Sequence, residues 1–176
     1  GGDGVSYCNF PYARPYGDVQ RGPFTEPPFW VLPLTGDPQR LALLPQYYLW
    51  APGWSPAGVA PFLPYPLSAQ NSCKFAMTLA APGGGWKGAG RFRLQFNKEL
   101  RDHEFSVVLN GISLTPTGDI SELYPTPYTQ LLGTPKEMRA WTVPAGLLKN
   151  GENHFEITQT AGDARRISYI DLGVIS

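Results

Sequence analysis

Glycine and proline constrain this chain most, because 20 glycines and 19 prolines stand among its 176 residues. Both residues are unfavourable inside helices, and proline also removes a backbone donor from a sheet ladder. The chain also carries 5 Trp, 9 Tyr and 9 Phe, whereas disordered segments are poor in aromatic residues. The sequence therefore predicts a folded chain that is rich in turns and poor in helix.

The prolines divide the chain into two parts, because 13 of the 19 lie in residues 1–70. Residues 1–40 combine repeated prolines with large apolar side chains such as Trp30, which are costly to leave in water. We expect an extended arm there, packed against the body of the domain or against a neighbouring domain. Residues 41–176 are long enough for one domain with its own core, and a first strand is a candidate at 41–50.

From residue 71 apolar and polar residues alternate, which is the period of strands with one buried face. Asn110-Gly111 gives the strongest hairpin signal, because a type I′ turn needs positive φ at both central residues. A single helical turn is predicted at 144–148. Such short strands, punctuated by glycine and proline, indicate an all-β sandwich or barrel. The predicted antiparallel strands are 73–79, 91–96, 104–109, 112–114, 153–160 and 166–175.

Three segments, 107–114, 143–157 and 167–172, resemble galactose-binding-like jelly rolls. The resemblance covers residues 71–176 and implies an antiparallel jelly-roll β-sandwich. Such domains are commonly appended to bacterial glycoside hydrolases and polysaccharide lyases, as carbohydrate-binding modules or as structural sandwiches. Ligand contacts in that family lie in variable loops, so the resemblance transfers no binding residue to this chain.

The charge balance removes the electrostatic case for a nucleic-acid binder. Lys and Arg number 14 and Asp and Glu number 14, whereas neutralising phosphates needs an excess of clustered basic side chains. No apolar run approaches a membrane span, and no signal peptide is recognisable. We expect an extracellular or periplasmic monomer, its targeting segment absent from this sequence, whose partner is a glycan or a neighbouring catalytic domain.

No catalytic constellation stands out, so we predict that the domain is not an enzyme. His103, among charged residues before a strand, is expected in a solvated loop, and His154 on the exposed side of a strand. A glycosidase needs two carboxylates, but Asp119 and Glu122 share a loop in which acids are usually solvated.

Metal and disulfide signals are weak. The chain lacks HxH, HExxH, CxxC and an Asp-rich calcium loop, so no cofactor or metal site is predicted, although Asp163 or Asp171 could contribute to a structural calcium. Cys8 and Cys73 could form a disulfide, but two buried thiols are the safer interpretation.

Aromatic side chains in loops are the candidate ligand-binding residues, because sugar rings present apolar C–H faces edged by hydroxyls. The long loop at 115–137 carries Tyr124 and Tyr128, which could bind a ligand or fold back over the open end of the sandwich. Trp86, in a glycine-rich loop, is the best candidate for an exposed indole. Trp54 is a similar, weaker candidate.

Arg139 and Trp141 lie two residues apart on a strand and therefore share a face. On the solvent face they could bind a ligand together, whereas on the core face Trp141 is packing, which we favour.

Three functions stay open. The leading one is a non-catalytic carbohydrate-binding or ancillary module; the others are a structural docking module that binds no glycan and a polysaccharide-degrading enzyme with a carboxylate pair.

Overall fold

The computed structural model describes residues 36, 37, 39, 40, 43, 44, 46–50, 62–123 and 134–175. The strands within them are β1 (Gln46–Trp50), β2 (Tyr65–Leu67), β3 (Ser72–Leu79), β4 (Gly90–Phe96), β5 (Glu104–Leu109), β6 (Ile112–Ser113), β7 (Thr115–Thr117), β8 (Met138–Val143), β9 (Gly151–Ala161) and β10 (Arg165–Val174). Two 3₁₀ turns span Pro135–Glu137 and Ala145–Leu147. In this part of the chain no helix has the length and apolar character needed to cross a bilayer.

The strands form two antiparallel sheets. The six-stranded sheet has the order β1-β10-β4-β8-β7, with β2 also paired to β10, and the four-stranded sheet has the order β3-β9-β5-β6. The chain crosses repeatedly from one sheet to the other, as it does in jelly-roll sandwiches. The predicted class, an all-β antiparallel sandwich, is therefore confirmed. The predicted arm at 1–40, including Trp30, lies almost entirely outside the described residues.

The core lies between the sheets and is built by the alternation that the sequence shows. Phe155 of β9 stacks on Phe75 of β3, with ring centroids 5.2 Å apart, and on Phe92 of β4 in the opposite sheet, at 4.8 Å. Phe96 and Phe105 form a second contact between the sheets, at 4.4 Å. Burying each such side chain contributes about 1.5–3 kcal/mol relative to leaving it in water.

The predicted turn at Asn110-Gly111 is confirmed, since φ is 51° at Asn110 and 87° at Gly111. The Asn110 side chain also donates to the Leu147 carbonyl oxygen at 2.9 Å and to Asn153 Oδ1 at 2.9 Å. These bonds tie the β5–β6 hairpin to the 3₁₀ turn that stands where the helical turn was predicted. Loops from both sheets therefore meet at one end of the sandwich.

Candidate ligand site

The expectation that Trp86 exposes its indole is wrong. Its side chain belongs to the core cluster and is only 7% exposed. The preceding loop turns back tightly, because Gly84 and Gly85 adopt positive φ and the Gly85 N–H donates to the Pro82 carbonyl oxygen at 2.8 Å. This loop covers the open end of the sandwich, so the indole enters the core that the loop closes.

Trp141 also packs in the core, as favoured above, and is 2% exposed with its ring 6.1 Å from that of Phe92. Arg139 is half-buried and its guanidinium donates to the carbonyl oxygens of Met138, at 2.8 Å, and Leu100, at 2.5 Å. The two residues therefore stabilise the β8 region and present no joint platform to a ligand. Trp54, Tyr124 and Tyr128 lie outside the described residues, so their role stays a prediction.

A charged cluster covers the outer face of the six-stranded sheet. Arg93 Nε donates to Asp171 Oδ1 at 2.9 Å, and its Nη2 also contacts Asp171 Oδ2. Tyr169 donates a hydrogen bond to the same carboxylate, and Glu122 Oε1 lies 3.8 Å from Arg93 Nη2. Burial raises the pKa of Asp171, and the negative charge of Glu122 adds to this effect, while Arg93 opposes it.

The loop that carries Glu122 is fastened to the same sheet by Arg91. The Arg91 guanidinium donates to the Ser121 carbonyl oxygen at 2.7 Å and pairs with Asp119 Oδ2 at 2.7 Å. Hydrogen bonds from Ser121, followed by the charge of Arg91, lower the pKa of Asp119. Asp119 is solvated as expected, whereas the side chain of Glu122 is mostly buried, so the expectation for Glu122 is wrong. Each arginine of this cluster therefore contacts at least one carboxylate.

The end of the sandwich holds a cavity of about 600 Å³, which we call the end cavity. Leu43 is a large apolar residue of this cavity and exposes 61% of its surface to solvent. Asn150 Oδ1 accepts a hydrogen bond from the Ala81 N–H at 3.0 Å, which fixes the side-chain amide at the rim. The end cavity is lined by Gln39, Leu43, Ala80, Ala81, Pro82, Gly83 and Asn150.

The residues that line the end cavity provide both apolar surface and neutral polar groups. Among the lining residues that the structure describes, none is charged. The amides of Gln39 and Asn150 each offer donor and acceptor atoms, and the bond from Ala81 uses only the oxygen of Asn150. Ligand sites in proteins enclose roughly 300–1,000 Å³ with mostly apolar walls and a few placed polar groups, so this site suits an uncharged, hydroxyl-rich ligand.

The histidines occupy different environments. His154 is exposed, as expected, and its Nε2 lies 3.0 Å from Glu152 Oε1. His103 is buried, so its predicted place in a solvated loop is wrong; its Nε2 lies 3.0 Å from Asp163 Oδ1. Gly162, with φ of 90°, leaves the space that the His103 ring occupies.

The acids named for calcium are engaged by basic side chains, Asp171 by Arg93 and Asp163 by Arg165. Among the described residues, no group of three or more His, Cys, Asp or Glu side chains is placed to hold a metal ion. Cys73 is a buried free thiol whose pKa burial raises to about 12. Cys8 lies outside the described residues.

The end cavity was not found from the sequence, because its walls come from segments more than 100 residues apart. The sequence pattern gives a clearer signal for Arg93 and Asp171. Each is a charged residue between two apolar neighbours in its strand, which places it on the face away from the core.

No family model and no curated protein matches the sequence. A β-porphyranase of glycoside hydrolase family 86 from the human gut bacterium Bacteroides plebeius is similar over 62% of this chain and 18% of its own, at 23% identity and a TM-score of 0.44. This chain thus spans less than a fifth of that protein. Dimeric latent PorU from Porphyromonas gingivalis is similar over 74% of this chain and 12% of its own, at 14% identity and a TM-score of 0.38.

A family 35 carbohydrate-binding module from Clostridium thermocellum is similar over 61% of this chain and 96% of its own, at 12% identity and a TM-score of 0.34. All three identities lie below 25%, so these similarities concern the fold alone. The two antiparallel sheets of this chain agree with the galactose-binding-like sandwich that the sequence resembles.

Proposed function

We propose that this domain is a non-catalytic, carbohydrate-related ancillary module that binds a neutral glycan in the end cavity. The observation that carries the proposal is the composition of that cavity of about 600 Å³, whose described lining consists of apolar side chains and two amides and includes no charged residue. A pyranose ring combines an apolar face with hydroxyls that both donate and accept, and this lining complements both features.

The zero net charge of the chain supports a neutral ligand. A uronate or sulfate would lose hydration on entering the end cavity and would meet no cation among the described lining residues, which is unfavourable. Neutral hydroxyls meet amide groups there instead. We expect the affinity of this single site for a glycan to be modest. A modest affinity suits a module that holds a larger protein near its substrate.

The charged cluster supports a non-catalytic role. Asp171 and Glu122 both contact the guanidinium of Arg93, whose single positive charge offsets part of their combined negative charge. A glycosidase needs one carboxyl group that holds a proton and a second that acts as a base or nucleophile, with the sugar between them. Here an arginine lies between the carboxylates, and neither acid lines the end cavity.

Affinity electrophoresis against neutral and acidic polysaccharides tests the proposal. We expect retardation by at least one neutral polysaccharide and none by acidic ones. Asn150→Asp keeps the oxygen that accepts from Ala81 but replaces the amino group by a charged oxygen. We expect it to lose about tenfold in affinity, because one hydrogen bond to the ligand is lost and a charge loses hydration. Leu43→Ser should weaken binding too.

Ile112→Ser is the matched control for Leu43→Ser, because Ile112 is also an exposed large apolar residue, at 53%, and does not line the end cavity. It should bind like the wild type. Failure of every polysaccharide to retard the protein would favour the docking module instead. Release of reducing sugar by the wild type and not by Asp171→Asn would favour the enzyme.

A further inference from the structure

The outer edge of β3 leaves part of its backbone without hydrogen-bond partners among the residues that the structure describes. The Asn110 N–H donates to the His154 carbonyl oxygen at 2.9 Å, so the even-numbered residues of β9 direct their backbone groups to β5. The odd-numbered residues of β9 therefore face β3, where Phe155 lies opposite Phe75. It follows that the even-numbered residues of β3 point their N–H and C=O groups away from the sheet.

Two contacts at the ends of β3 agree with this direction. The Ser72 carbonyl oxygen accepts from the Tyr65 hydroxyl at 3.1 Å, and the Ala80 N–H donates to the Tyr48 hydroxyl at 3.1 Å. Between these two caps, the outward N–H and C=O groups of Lys74, Ala76 and Thr78 have no partner in the part of the chain that the structure describes. We call these three residues the open edge.

The open edge is complementary to a second copy of itself. In an antiparallel pairing about a two-fold axis at Ala76, Ala76 meets its own equivalent, and Lys74 of each copy lies opposite Thr78 of the other. The three residues then exchange six backbone hydrogen bonds across the axis. The small Ala76 side chain at the centre brings no steric clash to the axis.

Charges on the outer face of the four-stranded sheet agree with this register. Lys74 pairs within its own chain with Glu156, at 3.1 Å, and Glu152 lies opposite Thr78 on β9. In the pairing about Ala76, Glu152 of the second copy lies two strand spacings, roughly 10 Å, from the Lys74 backbone. The long side chains of Lys and Glu bridge that span, and both are largely exposed.

We propose that two copies of this domain associate weakly through the open edge of β3 and form one continuous eight-stranded sheet. The proposal does not depend on glycan binding. It replaces the expected monomer by a dimer with a dissociation constant on the order of 0.1 mM, since six backbone bonds with little apolar area give low affinity. Unpaired strand edges are templates for such pairing.

Amide hydrogen exchange at low and high protein concentration tests the proposal within one strand. The amides of Lys74, Ala76 and Thr78 should exchange fast at about 10 µM and become protected at about 1 mM, concentrations that bracket the expected affinity. The amides of Phe75 and Met77, which face β9, should be protected at both concentrations and serve as the internal control. Equal exchange of the outward amides at both concentrations would overturn the proposal.

Sedimentation equilibrium of charge variants tests the register. Lys74→Glu should raise the dissociation constant about tenfold, because it faces Glu152 of the second copy. The double variant Lys74→Glu, Glu152→Lys should recover most of the affinity. Lys149→Glu makes the same charge change at an exposed loop residue and should leave association unchanged. A wild type that stays monomeric at 1 mM, or equal weakening by Lys74→Glu and Lys149→Glu in variants with native circular dichroism, would contradict the dimer.

Discussion

Arg93 of β4 and Asp171 of β10 are direct cross-strand partners that form a bidentate ion pair on the face of the sheet away from the core. Their exposed fractions are 3% and 1%, so water contributes little to solvating either charge. Removing one member of such a pair leaves the other charge buried without compensation, which is strongly destabilising. The pair therefore fixes the register of the two central strands.

Asp171→Asn should lower the free energy of unfolding by about 1–3 kcal/mol, because it removes an acceptor from the buried guanidinium of Arg93 and leaves the more distant Glu122 as its counter-charge. Asp119→Asn is the matched control, since the Arg91–Asp119 pair is partly exposed and should contribute much less to stability. Urea denaturation of the three proteins measures both values. Equal losses for the two variants would show that the buried pair contributes no more than the surface pair.

The pKa values of Asp171 and Asp119 should lie on opposite sides of the ordinary aspartate value of 3.8, because burial raises the first and hydrogen bonds from Ser121 lower the second. The stabilising contribution of Asp171 is then greatest below its unfolded pKa and is lost as the pH rises through its folded pKa. That of Asp119 is present above its unfolded pKa and is lost as the pH falls through its folded pKa. Carboxyl ¹³C NMR titration measures both midpoints, and the reverse order would refute the assignment.

Gly162→Ala should destabilise the fold more than Gly111→Ala does. Both glycines have positive φ, but a Cβ at Gly162 would lie 2.6 Å from the His103 ring, whereas one at Gly111 meets open space. Gly111→Ala should therefore cost about 1–2 kcal/mol of conformational strain, and Gly162→Ala about 1–3 kcal/mol more for the steric overlap. Thermal denaturation compares them, and the excess should disappear in a His103→Ala background if the overlap is its cause.

Trp86→Ala should lower the free energy of unfolding by about 3–5 kcal/mol, because the indole fills the end of the core. Leu43→Ala, at an exposed position, should change it by less than about 0.5 kcal/mol. Chemical denaturation gives both values. A loss at Trp86 as small as that at Leu43 would show that the indole is not part of the core.

The sandwich could be predicted from the sequence because each strand carries its own alternation. The alternation of apolar and polar residues is enough to predict that Phe75 and Phe155 face the core. The turn at Asn110-Gly111 follows from its need for positive φ. Strand bounds were less certain at the edge, where the candidate strand at 41–50 begins only at Gln46. Strand alternation and turn geometry depend on residues only a few positions apart, so both can be predicted from the sequence.

The site could not be predicted in the same way because it depends on which loops meet. Trp86 was expected in solvent since its neighbours in sequence are glycines and Lys87, yet the core it enters is built by other strands. His103 was misplaced for the same reason, because Gly162 makes room for it from a turn almost 60 residues away. Tertiary contacts, rather than local composition, decide which aromatic and polar residues are buried.

The most direct test of the central claim is an NMR titration of ¹⁵N-labelled protein with the neutral oligosaccharide that retards it most in electrophoresis. We predict saturable shifts of the Ala81 backbone amide and of the Gln39 and Asn150 side-chain amides, which line or rim the end cavity. In Asn150→Asp the shifts of Ala81 and Gln39 should need about tenfold more oligosaccharide to saturate, while signals of the charged cluster around Arg93 stay in place. Saturable shifts that map to another surface, or a wild-type spectrum that no neutral oligosaccharide changes, would contradict glycan binding in the end cavity.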